Sequence, residues 1–344
     1  MEPTDKTIER WVQPQAHAIE REPAFAEEKL RPARFEDYPG QDRIKENLKI
    51  AVAASKKRGQ PLDHVLLHGP PGLGKTTLAQ ILSHEMGSQF FHSSGPAIER
   101  PGDLAGILAG LSEGSLLFID EIHRMPVNVE EVLYTAMEDF CIDVIVGQGP
   151  TARSVRMDLP PFTLVGATTR LASLSRPFVS RFGIVERLEF YDDEALSTII
   201  GRSSRIWQMD ITSEAARALA ERSRGTPRIA NRLLRRVRDF ADFLDAAAVD
   251  VQIVDGALQR LEIDAVGLDS LDRQILRIIR DRYAGGPVGI ETLAATVGEE
   301  GATIEEVYEP YLVFRGFVSR MPRGRILTPL GANHLEAYDD AQER

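Results

Sequence analysis

The 344-residue sequence predicts an α/β fold: a P-loop domain built on a parallel sheet, then an all-α domain, then a C-terminal winged-helix domain. Three observations predict it. Between about residues 30 and 192, short apolar runs alternate with helical periodicities, the pattern of a parallel sheet covered by helices. From 193 to about 262 the periodicity is helical throughout. The last part gives three amphipathic stretches and then an alternating segment, 316–328, with a Pro-Arg-Gly tip, as in a winged helix.

The apolar runs lie at 64–68, 115–119 and 162–167. Each is rich in Leu, Val, Ile or Phe, as strands buried on both faces require. Thr212 ahead of Glu214 signals a helix that carries Ala215, Leu219 and Arg222. Thr226-Pro227 starts another, with Thr226 as N-cap and Pro227 at the first helical position. Residues 261–269 read as a linker. Leu271, Ile275, Leu276 and Ile279 then mark one amphipathic helix, 290–297 a second and 303–314 a third. The expected organisation is an N-terminal arm at 1–29, a large domain at 30–192, a helical domain at 193–265 and a winged helix at 266–344. From residue 336 onward the chain is polar and is expected to fray.

Composition narrows the function. Apolar residues make up 43% of the chain, enough for a substantial core, yet no run approaches the roughly 18 apolar residues of a membrane span. Residues 1–28 are charged and lack an apolar stretch, so no secretory leader is expected. One cysteine, Cys141, cannot form an intrachain disulfide, which fits a reducing cytoplasm. The formal charge of −11 gives no support to DNA binding by bulk electrostatics, so any nucleic-acid contact must come from a local basic patch.

The strongest chemical signal is Gly69-Pro70-Pro71-Gly72-Leu73-Gly74-Lys75-Thr76, a complete G-x-x-x-x-G-K-[ST] loop. It follows an apolar strand and opens a helix whose Leu78, Ile81 and Leu82 share one face and which stops at Gly87. Glycines let backbone N–H groups turn toward phosphate oxygens, and the helix N-terminus adds its positive dipole end. Lys75 is expected on the β/γ-phosphates of ATP and the Thr76 hydroxyl on Mg²⁺. A second strand ends in Asp120-Glu121. Asp120 is expected to hold Mg²⁺, mostly through water, and Glu121 to polarise the attacking water. A third strand ends in Thr168-Thr169, where a hydroxyl could meet the γ-phosphate. His123 reads as structural rather than catalytic.

These elements in this order resemble the AAA+ ring motors, and several strings narrow the resemblance to the RuvB family, which drives branch migration of Holliday junctions in DNA recombination and repair. The strings are Leu30-Arg31-Pro32, Tyr38-Pro39-Gly40-Gln41, Asp120-Glu121-Ile122-His123-Arg124, Gly147-Gln148-Gly149-Pro150, Leu159-Pro160-Pro161-Phe162-Thr163, Gly166-Ala167-Thr168-Thr169-Arg170, Arg181-Phe182-Gly183, Arg224-Gly225-Thr226-Pro227-Arg228 and Pro322-Arg323-Gly324-Arg325. The resemblance runs from about residue 30 to 335. It implies a homohexameric, cytoplasmic DNA motor with ATP and Mg²⁺ as cofactors, acting with RuvA and, in a resolving complex, RuvC.

It also implies roles. Leu30 and Arg31 would lie against adenine and ribose, and Gly72, Lys75, Thr76 and Thr77 would cradle the phosphates. Thr169, in preference to Thr168, matches sensor 1. Tyr191 matches a nucleotide contact at the lid entrance. Arg228 matches sensor 2, and its place in the first turn of a helix lets it bend over a triphosphate. Glu138, Asp139 and Phe140 would approach the nucleotide of a neighbouring subunit. Arg181 matches the arginine finger, whose permanent charge and planar fork suit transition-state charge on a γ-phosphate. Two positions depart from the family pattern. Val179 stands where an arginine is usual two residues before the finger, with Arg176 nearby, and Gly301 stands at a DNA position that is usually arginine.

Two features concern macromolecular partners. Ile142, Val144 and Val146 on one arm, and Val155, Met157 and Leu159 on the other, form an apolar stripe on a hairpin at 141–159 with its turn at 147–152. From the residues alone the stripe either packs on its own domain or docks a partner; the resemblance points to RuvA. Arg315, Arg320, Arg323 and Arg325 cluster around the wing. From the residues alone they are either phosphate contacts or a solvated basic loop. The resemblance favours DNA contact by Arg320 and Arg325. The basic run from Arg228 to Arg238 reads mostly as packing and salt bridges within the helical domain. Two other readings stay open at this level. One is a clamp-loader-like or initiator-like AAA+ ATPase. The other is a winged-helix DNA-binding regulator with a degenerate nucleotide domain, against which the intact Lys75, Asp120 and Glu121 count.

Overall fold

The computed structural model describes residues 29–146 and 153–342. Five parallel strands form the main sheet in the order β2 (Phe90–Ser94), β3 (Leu116–Asp120), β6 (Thr163–Thr168), β1 (Val65–His68) and β7 (Ile184–Arg187). The three apolar runs are its interior strands. In β1, Val65 and Leu67 enter one core cluster while Leu66 enters the other. In β3, Phe118 and Leu117 divide the same way. Burial on both faces is what makes these strands read as unbroken apolar runs. The two edge strands, β2 and β7, carry no such signal because most of their residues are only partly buried.

Helices α1 (Asp42–Arg58), α2 (Lys75–Met86), α3 (Pro101–Ala109), α4 (Val127–Asp139) and the short α5 (Arg176–Val179) belong to the sheet-bearing part. The α2 helix ends at Gly87, whose φ of 68° supplies the left-handed C-cap. Between α4 and β6, β4 (Cys141–Val146) pairs with β5 (Arg153–Asp158) as an antiparallel hairpin whose register sets Ile142 opposite Met157 and residue 144 opposite 155 along the backbone. The apolar stripe divides. Ile142 and Leu159 are buried and Met157 packs beside them in the sheet core, whereas Val155 is 49% exposed. The turn of this hairpin lies outside the described residues.

The helical domain comprises α6 (Asp193–Ile206), α7 (Ser213–Glu221), α8 (Pro227–Phe243) and α9 (Val251–Arg260). Thr212 caps α7 by accepting the Ala215 N–H at 3.1 Å. Thr226 does occupy the N-cap position of α8, but its hydroxyl makes no cap: it lies 3.5 Å from the Ser223 carbonyl. The buried face of α8, including Leu233, Leu234 and Val237, joins the same cluster as Val65, Leu67 and Phe118 of the sheet. The helical domain and one face of the sheet thus share one core.

The C-terminal unit has a core of its own around Leu276, Ile279, Leu293 and Leu312. It contains α10 (Ser270–Arg282), α11 (Ile290–Val297), a helical stretch ending in α12 (Glu309–Phe314), the wing strands β8 (Val318–Met321) and β9 (Gly324–Leu327), and α13 (Pro329–Gln342). The helix before the wing is not regular. A π-helical segment, Ile304–Tyr308, precedes α12. The expectation that the chain frays from residue 336 is overturned as far as residue 342. That stretch is the second half of α13, held by Leu335 in the core and by an Asp339 carboxylate that pairs with Arg277 and Arg280. One apolar anchor and two ion pairs give too little periodicity to read from sequence.

The segment at 261–269 is a loop but a fixed one. Asp264 accepts the Val266 and Leu268 N–H groups at 3.0 and 2.8 Å and meets His334 Nε2 at 2.9 Å. The winged helix also docks on the rest of the molecule. Phe314 packs on Phe190 with centroids 4.7 Å apart, and Arg224 reaches the fully buried Asp272 at 2.9 Å. Arg170, just past the end of β6, forms an ion pair with Glu306 of the π-segment. No helix among the described residues is long and apolar enough to cross a membrane.

Candidate nucleotide site and basic wing

Strands β3, β6 and β1 are neighbours, so their C-terminal ends deliver Asp120, Thr169 and the glycine-rich loop side by side. Open α/β sheets bind ligands at this edge. The cleft there, about 330 Å³, is also lined by Leu30, Arg31, Thr76, Thr77, Glu121, Tyr191 and Arg228. Eleven sequence-predicted residues therefore meet in one place, counting Gly72 and Lys75.

The loop closes on itself. Lys75 Nζ donates to the Gly69 and Pro70 carbonyls at 2.8 and 2.9 Å, spanning the turn that a phosphate would enter. Burial lowers the Lys75 pKa to about 8, against the opposing pull of Asp120. Gly74 has a φ of 96°, and a Cβ there would sit 2.7 Å from the Tyr38 hydroxyl. Gly72 has a φ of 81°, and a Cβ there would meet the Arg228 side chain at 3.0 Å. Both glycines are required by left-handed backbone and close approach. The start of α8 is stitched directly to the loop: Arg228 N–H donates to the Gly72 carbonyl at 3.3 Å.

Below the loop, the Tyr38 and Tyr191 hydroxyls lie 2.7 Å apart and both reach the Leu73 carbonyl. Burial raises both phenols, so they stay neutral donors. Sequence reading gave Tyr38 no role. It also missed Arg202 of α6, which lines the cleft and donates to the Leu30 carbonyl, tying the helical domain to the N-terminal edge of the site. Both act through contacts more than 100 residues away in sequence, and no local pattern announces them.

At the strand ends, Asp120 Oδ1 accepts the Glu121 N–H at 2.9 Å. Glu121 adopts a φ of 48°, a conformation that costs a non-glycine residue of order 1 kcal/mol and that collects at functional sites. Its carboxylate pairs with Arg124 at 2.9 Å. Thr168 is buried and bonds His123 Nδ1 at 3.0 Å, beneath the cleft. Burial lowers the His123 pKa, which keeps the ring neutral in this structural contact. Thr169 lines the cleft instead, and its hydroxyl oxygen is buried with no hydrogen-bond partner among the described residues. An orphaned hydroxyl, an inward-turned glycine loop, and Thr76 beside Asp120 suit a magnesium–nucleoside triphosphate.

Arg181, Glu138, Asp139 and Phe140 do not line this cleft. Glu138 lies 3.1 Å from Arg181 Nη2, and Glu138 and Asp139 are exposed at the end of α4. Phe140 turns inward at a φ of 48° and packs edge-on to Phe162. Val179 packs beside the second sheet core, and Arg176 is exposed with no ion pair among the described residues.

The wing departs from a simple basic patch. Arg320 Nε and Arg325 Nε donate to Glu309 at 2.6 and 3.1 Å, and both guanidinium groups also reach Glu305, at 2.8 and 3.3 Å. The Arg325 side chain is only 13% exposed and that of Glu309 5%. Burial pushes the Glu309 carboxyl up, but the arginine hydrogen bonds outweigh it and hold the group below its ordinary range. Two cations therefore face two anions. Arg323 at the tip is exposed with no ion pair among the described residues, and Arg315 lies over the Phe317 ring at 5.9 Å. Gly301 begins the helical stretch that leads to the π-segment.

The cleft, the shared core and the separate wing domain coincide with three family models. Residues 30–188 match the P-loop domain of the Holliday junction DNA helicase RuvB, 191–264 the RuvB AAA lid domain, and 265–336 the RuvB C-terminal winged-helix domain. The chain belongs to the RuvB family. Among solved structures it resembles Thermotoga maritima RuvB, described as a Holliday junction branch migration motor, at 48% identity and a TM-score of 0.82. Two point variants of that protein give TM-scores of 0.83 and 0.84 at the same identity. Each match covers 89% of this chain and 98% of the other. Membership in the RuvB family makes this chain an AAA+ ATPase of the branch-migration type.

Proposed function

We propose that this chain works as a homohexameric ring that hydrolyses MgATP at its subunit interfaces and drives duplex DNA through Holliday junctions, in the cytoplasm, with RuvA and RuvC as partners. Residues 30–192 form the motor domain, 193–265 the lid and 266–344 the DNA-binding domain, after an arm at 1–29. RuvA docks on the outer part of the 141–159 hairpin, where Val155 is exposed while the base of the stripe is committed to the core.

The observation that carries this reading is the division of charged groups between two places. The cleft gathers the residues that bind and activate, and Arg181 stands outside it. Lys75 and the loop N–H groups hold the phosphates, Leu30 and Arg31 border the base and sugar, and Thr76 with Asp120 holds Mg²⁺. Bound there, the metal neutralises charge on the β- and γ-phosphate oxygens. Glu121 orients and polarises the attacking water, and Thr169 supplies its unpartnered hydroxyl beside it. Arg228 follows the lid onto the phosphates, and Tyr191 buttresses the loop from below. Arg181, with the exposed Glu138 and Asp139, faces the nucleotide of the next subunit, while the inward-packed Phe140 holds that end of α4 in place. The wing arginines Arg320, Arg323 and Arg325 meet DNA phosphates, which confers affinity without sequence choice.

Glu121→Gln tests the chemistry. The variant should bind ATP with parental affinity and hydrolyse it about 10²–10⁴-fold more slowly, the usual worth of a general base. Branch migration of a synthetic four-way junction, with and without RuvA, tests the function. Parental turnover by the variant, or no movement of the junction by the parent with RuvA and ATP, overturns the respective assignment.

A further inference from the structure

The finger is not simply exposed. Arg181 Cζ lies 4.6 Å from the centroid of the Tyr134 ring, and its Nη2 donates to the Tyr134 hydroxyl. The same Nη2 is 3.1 Å from Glu138. Tyr134 and Glu138 are one helical turn apart on α4, so they present a ring and a carboxylate on the same side. Arg181 Nε, on the side edge that also carries Nη2, is buried with no hydrogen-bond partner among the described residues. Both polar contacts of the guanidinium among the described residues fall on Nη2, and none on Nη1. The guanidinium is therefore fixed by its plane and by one nitrogen.

We propose that Tyr134 is the positioning residue of the Arg181 finger: its ring supports the guanidinium plane and its hydroxyl anchors Nη2, leaving Nη1 to reach the neighbouring subunit's nucleotide. The inference rests on the trans role given to Arg181 above. An arginine side chain has four flexible torsions, and a finger that must meet transition-state charge loses rate if it samples them freely. An aromatic face restrains the plane while letting it slide, which hydrogen bonds alone do not allow. Glu138 adds a second hold on Nη2 and partly offsets the charge while the finger rests. Tyr134 packs on the edge of the second sheet core and is not among the cleft residues, so its effect falls on the neighbour's ATP and not on its own.

The test compares Tyr134→Phe, which keeps the ring and loses the hydroxyl, with Tyr134→Ala, which loses both. Steady-state ATPase with duplex DNA present gives kcat and KM; a fluorescent ATP analogue gives binding. Misplacement of a reacting group by about 1 Å can cost about 10²-fold, so Tyr134→Ala should lose on that order in kcat and Tyr134→Phe less, with KM and analogue binding unchanged. Mixing Tyr134→Ala with Lys75→Ala subunits, after subunit exchange is confirmed, should restore activity above the summed background, because the second variant brings an intact finger to the first variant's intact loop. Thermal melting reports whether Tyr134→Ala is folded; if it is not, Tyr134→Phe decides alone.

Parental kcat in both variants, or a loss in kcat that comes with an equal loss of analogue binding, overturns the positioning role. So does failure of the mixture to exceed background. Arg181→Ala is run alongside to separate two failures. If Arg181→Ala loses hydrolysis and the Tyr134 variants do not, only the positioning role falls. If Arg181→Ala hydrolyses at the parental rate, the finger assignment falls first.

Discussion

The nucleotide cleft and the wing both attracted attention for their cations, yet the two regions use them differently. In the cleft, Lys75, Arg31 and Arg228 have no ion-pair partner among the described residues; Lys75 is held by carbonyl dipoles alone. In the wing, Arg320 and Arg325 are matched against Glu305 and Glu309. A cation held by neutral groups can be surrendered to a ligand at little cost, whereas one paired with a buried carboxylate leaves that carboxylate uncompensated when it goes. A motif match names the residue type. Whether the charge is free depends on acids brought in by the fold.

The largest effect that would sharpen this contrast is in the wing. Replacing Arg320 and Arg325 together with alanine leaves Glu309 buried without a cation, a change that costs about 3–5 kcal/mol where a buried pair is broken. The double variant should lower the thermal midpoint of the C-terminal domain as well as DNA affinity, and adding Glu309→Ala should recover the midpoint without the affinity. If the double variant melts like the parent, the pairing is a resting arrangement that DNA displaces freely.

Next in size is Arg228→Ala. A free cation aimed at developing charge is worth about 10²–10³ in kcat, and its removal should leave the melting temperature unchanged. A drop in stability comparable to the drop in rate would erase the distinction between the two regions. Lys75 gives a smaller, pH-dependent effect. Its pKa of about 8 in the free site must rise when phosphate binds, so binding takes up a proton above that pH. ATP affinity should be flat below pH 8 and fall as pH rises beyond it, by at most about tenfold per unit for one linked proton. Titrations at pH 7, 8 and 9 would show it; an affinity that rises with pH has the wrong sign. The smallest effect belongs to Arg323→Ala, which should reduce the salt slope of DNA binding by about 1 and leave stability untouched.

Much of the site is legible in the sequence. Gly69–Thr76, Asp120-Glu121 and Thr169 converge because each ends or follows an interior strand, and interior strands announce themselves as apolar runs. Phe90–Ser94 and Ile184–Arg187 did not, since edge strands are half-covered and mix polar with apolar residues. Tyr38 and Arg202 were silent because their partners, Tyr191 and the Leu30 carbonyl, lie far away in sequence. The wing pairing was silent for a related reason. Glu305 and Glu309 look like ordinary solvated acids until the helix carrying them packs against the hairpin.

The core that joins α8 to the sheet has a mechanical consequence. A lid attached only by a flexible strap could swing wide, but this one buries Leu233, Leu234 and Val237 in the cluster that also contains Leu67 and Phe118. Opening it as a door would bring apolar surface into water at about 25 cal/mol per Å². The inexpensive motion is a small shear that keeps these side chains covered. Such a displacement is small, but it is stiff, and because Phe314 and Asp272 of the C-terminal domain are fastened near the same seam through Phe190 and Arg224, the movement would be passed on as push rather than lost as slack.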